Sequence, residues 1–178
     1  IDLIKAIVLT HGTFDRFKHL SVPGFSLDDM WQHAMSSAAC AKLIAQNAGL
    51  DRKTADMAFM SGVLHDIGKL LMAAHLPDKF ALVHAHKEQH GGTMAEVEMA
   101  VIGTTHAAMG AYLLGLWGLP DPIIDSAAFH HDPAHKSSDT ISTTTIVHVA
   151  EALAKVGPEP PAIIDGIDYV YLEEAGLL

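Results

Sequence analysis

The sequence has one cysteine, few basic residues and no long apolar run, and each shortage excludes a class of protein. The single Cys40 excludes an internal disulfide framework and predicts a reducing, cytoplasmic compartment. The net charge of −10 would repel a polyanion, so we expect no nucleic-acid polymer as a partner. Apolar runs are broken by Gly, His or Asp before the ~18 residues of a membrane span, so we expect no membrane helix and no signal peptide.

Strand signals are also nearly absent, and this shortage indicates the fold class. Apolar residues recur at three- and four-residue spacing through most of the chain, which predicts an all-α fold. With 178 residues the chain can bury one sizeable core, so we predict a single domain over residues 1–178. Residues 1–10 read as an apolar helix with no start signal, which predicts that the chain is a fragment.

Start and stop signals divide the remaining residues into helices. Ser26 precedes acidic residues as an N-cap, Thr93 and Glu96 have capping-box spacing, and Pro122 suits a first helical turn. The predicted helices cover residues 26–48, 51–71 (one helix, or two joined near Gly62), 79–89, 93–113, 123–131 and 143–156.

Histidine, in contrast, is abundant, with 13 of 178 residues. His65 and Asp66 stand side by side at the end of an apolar run that would otherwise be core. Burying a carboxylate costs several kcal/mol unless something compensates its charge, and a metal cation is the strongest compensation. The pair offers one nitrogen and one oxygen ligand, a mixture that suits Zn, Fe or Mn.

Each of the main predicted helices brings a candidate ligand of its own. The candidates are His33, His65, Asp66, His106, His130, His131 and Glu151. A dinuclear site needs about six to eight such ligands, including a carboxylate that bridges the two ions. Asp66 is the natural bridge, so the sequence predicts a pair of divalent ions, Fe, Mn or Zn, between the helices.

Some of these residues keep a second interpretation. Neighbouring residues of a regular helix point about 100° apart, so His130 and His131 can both bind metal only if the helix end is distorted. Glu151 is either a ligand or a solvated residue. Asp29 is a ligand, the partner of a ligand histidine, or an exposed charge at a helix end. For His148 we expect a structural role. The other histidines lie in polar or irregular contexts and are predicted at the surface: His11, His19, His75, His84, His86, His90 and His135.

The order of these motifs resembles the HD superfamily of metal-dependent phosphohydrolases, and more closely its HDOD subgroup, the HD-related output domain of bacterial signalling proteins. The resemblance covers roughly residues 3–175. It is carried by the segments at residues 62–70, 98–110, 113–120, 127–131 and 147–153. It implies an HD-type helical bundle with a metal site between helices.

This resemblance also implies roles for single residues. One metal would bind His33, His65, Asp66 and Glu151, and the other would bind Asp66, His106, His130 and His131. Lys69 matches the lysine that faces the substrate phosphate or the leaving group, so the expected catalytic residues are Asp66 and Lys69.

The sequence also departs from the family pattern at three places. Relatives that cleave cyclic di-GMP carry a Gly-Tyr-Pro motif soon after the histidine pair, where this chain reads Asp132-Pro133-Ala134. Glu151 stands where Asp is usual. Full HDOD domains carry a further N-terminal helical region, and we expect this chain to lack it.

Two classes of function stay open. The first is a metal-dependent phosphohydrolase that acts on a nucleotide or a similar small phosphate ester. The second is a signalling output module that keeps the fold and works by binding a ligand, or a partner such as a receiver domain. Turnover by metal-loaded protein would discriminate between the two.

Overall fold

The computed structural model of the protein describes residues 21–136, 141–156 and 163–174. Regular structure in these ranges is helical, apart from one isolated bridge between Val22 and Phe25, which confirms the predicted all-α class. The helices of the described ranges are α1 Leu27–Asn47, α2 Arg52–Leu64, α3 Ile67–His75, α4 Pro77–His90, α5 Met94–Val101, α6 His106–Leu116, α7 Asp121–Phe129, α8 Thr143–Leu153 and α9 Tyr169–Glu174, with a 3-10 turn at Pro133–Lys136. The predicted helix over residues 1–10, with His11 and His19, lies outside the described residues.

Helix starts follow the predicted capping chemistry. The Ser26 side chain accepts a hydrogen bond from the Asp29 backbone N–H and begins α1. Thr93 and Glu96 form a reciprocal capping box at the start of α5. Pro122 lies in the first turn of α7, as predicted. These local signals were readable in sequence because each satisfies backbone N–H groups that have no partner inside the helix.

The single helix predicted over residues 93–113 is wrong. Helix α5 ends at Val101 and helix α6 begins at His106, and the angle between the two helices is 82°. Gly103 takes a left-handed conformation with φ of 90°, which ends the first helix. Thr105 then caps α6 by accepting from the Ala108 N–H at 3.1 Å. His106 is therefore the first residue of a helix rather than part of a helix interior.

Two further helix ends determine where the candidate ligands lie. The run over residues 51–71 is two helices, but the break falls at His65 and Asp66 rather than at Gly62. The predicted helix 123–131 ends at Phe129, so His130 and His131 follow its last regular turn. At both places the regular helix ends just before the paired residues, although His65 and His130 themselves keep right-handed helical backbone angles.

Small residues allow the helices around the cluster to approach closely. At the crossing of α1 and α2, a Cβ added to Gly62 would lie 2.6 Å from the Ala38 Cα atom. At the crossing of α3 and α6, a Cβ added to Gly68 would lie 1.9 Å from the His106 carbonyl oxygen. Gly110 of α6 faces Gly68 at this crossing. The backbone that carries His106 thus rests directly on α3.

The apolar core surrounds the candidate ligands. A cluster that includes Leu64, Ile67, Leu70, Leu114 and Ile123 joins α2, α3, α6 and α7. A second cluster joins α3 to α4 and α5, and a third joins α1, α2 and α8. The bend at His65 and Asp66 is therefore enclosed by packed side chains.

One apolar stretch passes a length and composition test for a membrane span. It is the run Arg52–His75, which covers α2 and α3. Its apolar 18-residue segment is 72% buried inside the fold. Helices α5 and α6 pass the test only together, and they are bent by 82°. Core helices of soluble proteins pass the same test, so this stretch is explained as core; the cytoplasmic location stays a prediction.

Substituting Gly68→Ala should destabilise the fold, because the added methyl group would overlap the His106 carbonyl. Backbone on both sides leaves little room for relaxation, so we expect the free energy of unfolding to fall by about 3 kcal/mol in urea titrations. Gly115→Ala is the matched control, since its Cβ would meet only the Ile124 Cδ1 atom at 3.9 Å. That change should stay within about 1 kcal/mol of wild type, and equal effects of the two changes would contradict the packing argument.

Candidate metal centre

The Asp66 carboxylate lies at the centre of a cluster of imidazoles. Its Oδ1 atom is 3.4 Å from His106 Nε2 and 3.7 Å from His130 Nε2. Its Oδ2 atom is 3.4 Å from His65 Nε2. Asp66 is 2% exposed, and the three histidines are fully buried. The α2–α3 bend, the start of α6 and the end of α7 therefore meet at one carboxylate.

The remaining predicted ligands extend this cluster towards solvent. His33 Nε2 of α1 is 3.9 Å from Glu151 Oε1 of α8. The other Glu151 oxygen is 3.9 Å from His131 Nδ1, and His131 Nε2 is 3.2 Å from His106 Nε2. The structure thus brings all seven predicted ligand residues together, including both members of the histidine pair.

Backbone carbonyls fix the orientation of two of these imidazoles. His65 Nδ1 donates to the Gly62 carbonyl at 2.7 Å, and His130 Nδ1 donates to the Ala127 carbonyl at 3.0 Å. A carbonyl oxygen only accepts, so Nδ1 carries the hydrogen and, in the neutral ring, Nε2 keeps a free lone pair. This arrangement is typical of metal-binding histidines, whose second nitrogen is held by an oxygen acceptor.

Glu98 does the same for His106, and sequence reasoning did not identify it as a site residue. Its carboxylate is fully buried and lies 2.7 Å from His106 Nδ1. It also accepts the His106 backbone N–H at 2.8 Å, at the start of α6. The available signal was an acidic residue between the apolar Val97 and Met99. Its relation to His106 depends on the break between α5 and α6, which the sequence analysis missed.

Most charge states in the cluster favour cation binding at neutral pH, and that of His65 opposes it. Burial lowers the pKa of His33 to about 4 and that of His131 to about 3, and it holds the pKa of His130 well below its ordinary value. Burial alone would raise the pKa of Asp66, but Lys69 and the neighbouring histidines hold it well below its usual range. For His65, burial is outweighed by Asp66, which raises the pKa of the imidazole.

The donor atoms fit a divalent metal. Four buried cluster atoms have no hydrogen-bond partner among the described residues: His33 Nε2, His65 Nε2, Asp66 Oδ1 and His130 Nε2. A buried acceptor left without a donor costs about 1–3 kcal/mol. Divalent cations bound on the two sides of Asp66 would satisfy these atoms, and mixed imidazole and carboxylate donors suit Fe, Mn or Zn.

The donors fall into two halves that share Asp66. In the first, one donor atom each from Asp66, His106, His130 and His131 lies within 4.8 Å of the others; we call this the His106 half. In the second, one donor atom each from His33, His65 and Asp66 also lies within 4.8 Å of the others, and Glu151 lies beside them. We call this the His33 half.

Among the described residues, the other candidates discussed in the sequence analysis lie where they were expected, except His84. His148 is buried, donates from Nδ1 to the His130 carbonyl at 2.7 Å and accepts the Asp168 N–H at 2.8 Å, which confirms a structural role. Asp29 is exposed in the first turn of α1 and belongs to neither half. His84, predicted at the surface, is half-buried instead, with its ring 4.7 Å from that of Phe80.

A cavity of about 720 Å³ opens beside the cluster. Its wall includes His131 and Glu151 of the cluster together with Lys69 and Lys155. Lys69 Nζ bonds Asp66 Oδ2 at 2.6 Å, and Lys155 Nζ bonds Glu151 Oε1. A ligand in the cavity would therefore meet both the donor cluster and two ammonium groups.

Comparisons with known proteins agree with this architecture. A family model described as the HDOD domain matches residues 1–133. An HDOD domain protein of unknown function from Geobacter sulfurreducens has a crystal structure that superposes with a TM-score of 0.74 at 25% identity, over 93% of this chain and 55% of that protein.

Two further relatives are more distant. The crystal structure of a predicted phosphohydrolase from Shewanella amazonensis SB2B has a TM-score of 0.69 at 23% identity, over 84% of this chain and 53% of that protein. An uncharacterized protein of Treponema pallidum (strain Nichols) is 24% identical over 106 residues, which is 60% of this chain and 20% of that protein. The chain thus spans about half the length of the solved structures it matches.

Substituting Glu98→Ala should weaken both the fold and metal binding, because it leaves two buried His106 N–H groups without an acceptor. We expect a loss of about 2–3 kcal/mol in the free energy of unfolding and a roughly 10- to 100-fold loss of metal affinity, measured by urea titration and calorimetry. Glu98→Gln keeps an acceptor oxygen and should lose less.

Glu96→Ala, on the same helix, is the control. Glu96 is exposed and acts only in the capping box, so its removal should cost about 1 kcal/mol and leave metal affinity unchanged. Wild-type metal affinity in Glu98→Ala would contradict the role given to Glu98.

Proposed function

Because the chain belongs to the HDOD domain family, we propose that it is a signal-transduction output domain that binds divalent metal ions at its histidine cluster. The observation that carries the proposal is the set of buried, unpartnered acceptor atoms around Asp66 Oδ1. Structural cores seldom leave such atoms without a donor. A packing role for these histidines would require donors that the described residues do not supply.

The ligand set divides between two ions. Asp66, His106, His130 and His131 would hold one ion, and His33, His65, Asp66 and Glu151 would hold the other. The ions when bound would supply Lewis-acid chemistry, which activates water and neutralises phosphate charge. The protein itself contributes the fixed Nε2 lone pairs and excludes water from the buried side of the cluster.

A second, finer candidate is hydrolysis of a small phosphate ester, such as a nucleotide. The supporting observation is the cavity, where Lys69 lies beside the cluster and faces the space a ligand would fill. Its ammonium group is placed to pair with a phosphate oxygen or with the leaving oxygen. Asp66 would hold the ions against the reacting phosphate.

The alternative is a catalytically silent module that keeps the cluster and binds a ligand or another domain. The absence of a Gly-Tyr-Pro motif after the histidine pair favours it over cyclic di-GMP hydrolysis. The match covers only about half of the length of the solved relatives, which leaves room for a receiver or other signalling domain as the partner of the whole protein. Such partners belong to the proposal.

Metal content tests the proposed centre directly. Tag-free protein purified without oxygen and saturated with Fe, Mn or Zn should carry about two ions per chain by mass spectrometry. Asp66→Ala and its isostere Asp66→Asn should carry none, because Asp66 is shared by both halves. His75→Ala, at an exposed histidine of α3, should keep both ions. Unchanged metal content in the Asp66 variants would reject the centre.

Turnover separates the enzyme from the silent module. The metal-loaded protein should release p-nitrophenol from bis(p-nitrophenyl) phosphate or from p-nitrophenyl phosphate, and Asp66→Ala should not. Lys69→Met should lower kcat by roughly 100-fold, as expected for loss of one charged group at the reacting phosphate. Lys79→Met, at an exposed lysine of α4, is the control and should match wild type. Full metal occupancy with no turnover would favour the silent module.

A further inference from the structure

The two oxygens of the Asp66 carboxylate have different partners. Oδ1, on the side of His106 and His130, is buried and bonds no donor among the described residues. Oδ2, on the side of His65, bonds Lys69 Nζ at 2.6 Å. The oxygen of the His106 half is therefore free, and the oxygen of the His33 half is already paired with a cation.

Glu151 repeats this asymmetry. Its Oε1 atom is the one nearest His33, at 3.9 Å, and this atom bonds Lys155 Nζ. Its Oε2 atom is 3.9 Å from His131 Nδ1. Both carboxylate oxygens that face the His33 half thus bond a lysine, and the one that faces the His106 half from Asp66 does not.

A lysine and a metal ion compete for the same carboxylate. An ammonium group takes the oxygen lone pairs in a charge-assisted hydrogen bond, and its positive charge repels an incoming cation. In the His33 half, two lysines balance the charges of Asp66 and Glu151 before any metal binds. In the His106 half an ion meets an unpaired oxygen and three imidazoles, so it binds without displacing an internal cation.

We propose that the two ions bind with unequal affinity, and that Lys155 weakens the His33 half by holding Glu151. This inference rests on the proposed metal centre and adds a residue that controls how the centre fills. Lys155 suits this role better than Lys69, because its side chain is 53% exposed and can leave Glu151, whereas that of Lys69 is 19% exposed. The centre would hold one ion firmly and accept a second when Lys155 moves away.

Calorimetric titration of metal-free full chain with Mn²⁺, with ion counts from native mass spectrometry, tests the inference. Wild type should show one tight ion and a second that is about tenfold or more weaker. Lys155→Met keeps the length of the side chain and removes its charge, so it should tighten only the second ion, by roughly 10- to 100-fold. Glu151→Gln should remove the second ion and leave the first unchanged.

Lys87→Met is the matched control, because Lys87 lines the same cavity and no bond joins it to Asp66 or Glu151 in the described structure. It removes the same charge and should leave both affinities near wild type. Two equally tight ions in wild type, or equal effects of Lys155→Met and Lys87→Met, would overturn the inference while the metal centre stands. Absence of any bound ion in wild type would overturn the metal centre as well.

Discussion

The structure depends on keeping one carboxylate, that of Asp66, ionised in the core. Burial of a lone carboxylate costs several kcal/mol, and here Lys69 offsets it at Oδ2, while Oδ1 faces the Nε2 atoms of two imidazoles and has no donor among the described residues. The imidazoles in turn need acceptors for their Nδ1 hydrogens. Two backbone carbonyls and the buried Glu98 supply these acceptors. The polar centre is thus held by a second layer of hydrogen bonds inside an apolar shell.

Close helix crossings make this arrangement possible. Gly68 lets the backbone at His106 rest on α3, next to the bend that carries Asp66, and Gly62 lets α1 approach α2. A larger residue at either glycine would push ligand-bearing helices apart, because its Cβ would overlap the backbone of the facing helix. The same glycines that reduce helix propensity therefore set the spacing of the donor atoms.

As an HDOD domain, the chain carries an HD-related helical fold associated with signal transduction, together with a buried cluster of histidine and aspartate. Two lysines that are not candidate ligands also contact the cluster. Lys69 and Lys155 each bond a carboxylate of the cluster and also line the cavity beside it. The two ammonium groups that bond the carboxylates of the cluster are therefore also the ones that an occupant of the cavity would meet.

The sequence by itself determined the helical class, the capped helix starts at Ser26 and Thr93, and the residues of the cluster. The helix starts depend on hydrogen bonds between residues close in sequence, and the cluster residues stand out because His and Asp are rarely found in apolar runs. Tertiary structure decided the break before His106, the buried partner Glu98 and the pairing of Lys155 with Glu151. The first depends on one left-handed glycine in a run that otherwise favours a helix, and the role of Glu98 follows from that break. Which oxygen each lysine takes depends on how α3 and α8 are placed around the cavity, and residue spacing does not encode that placement.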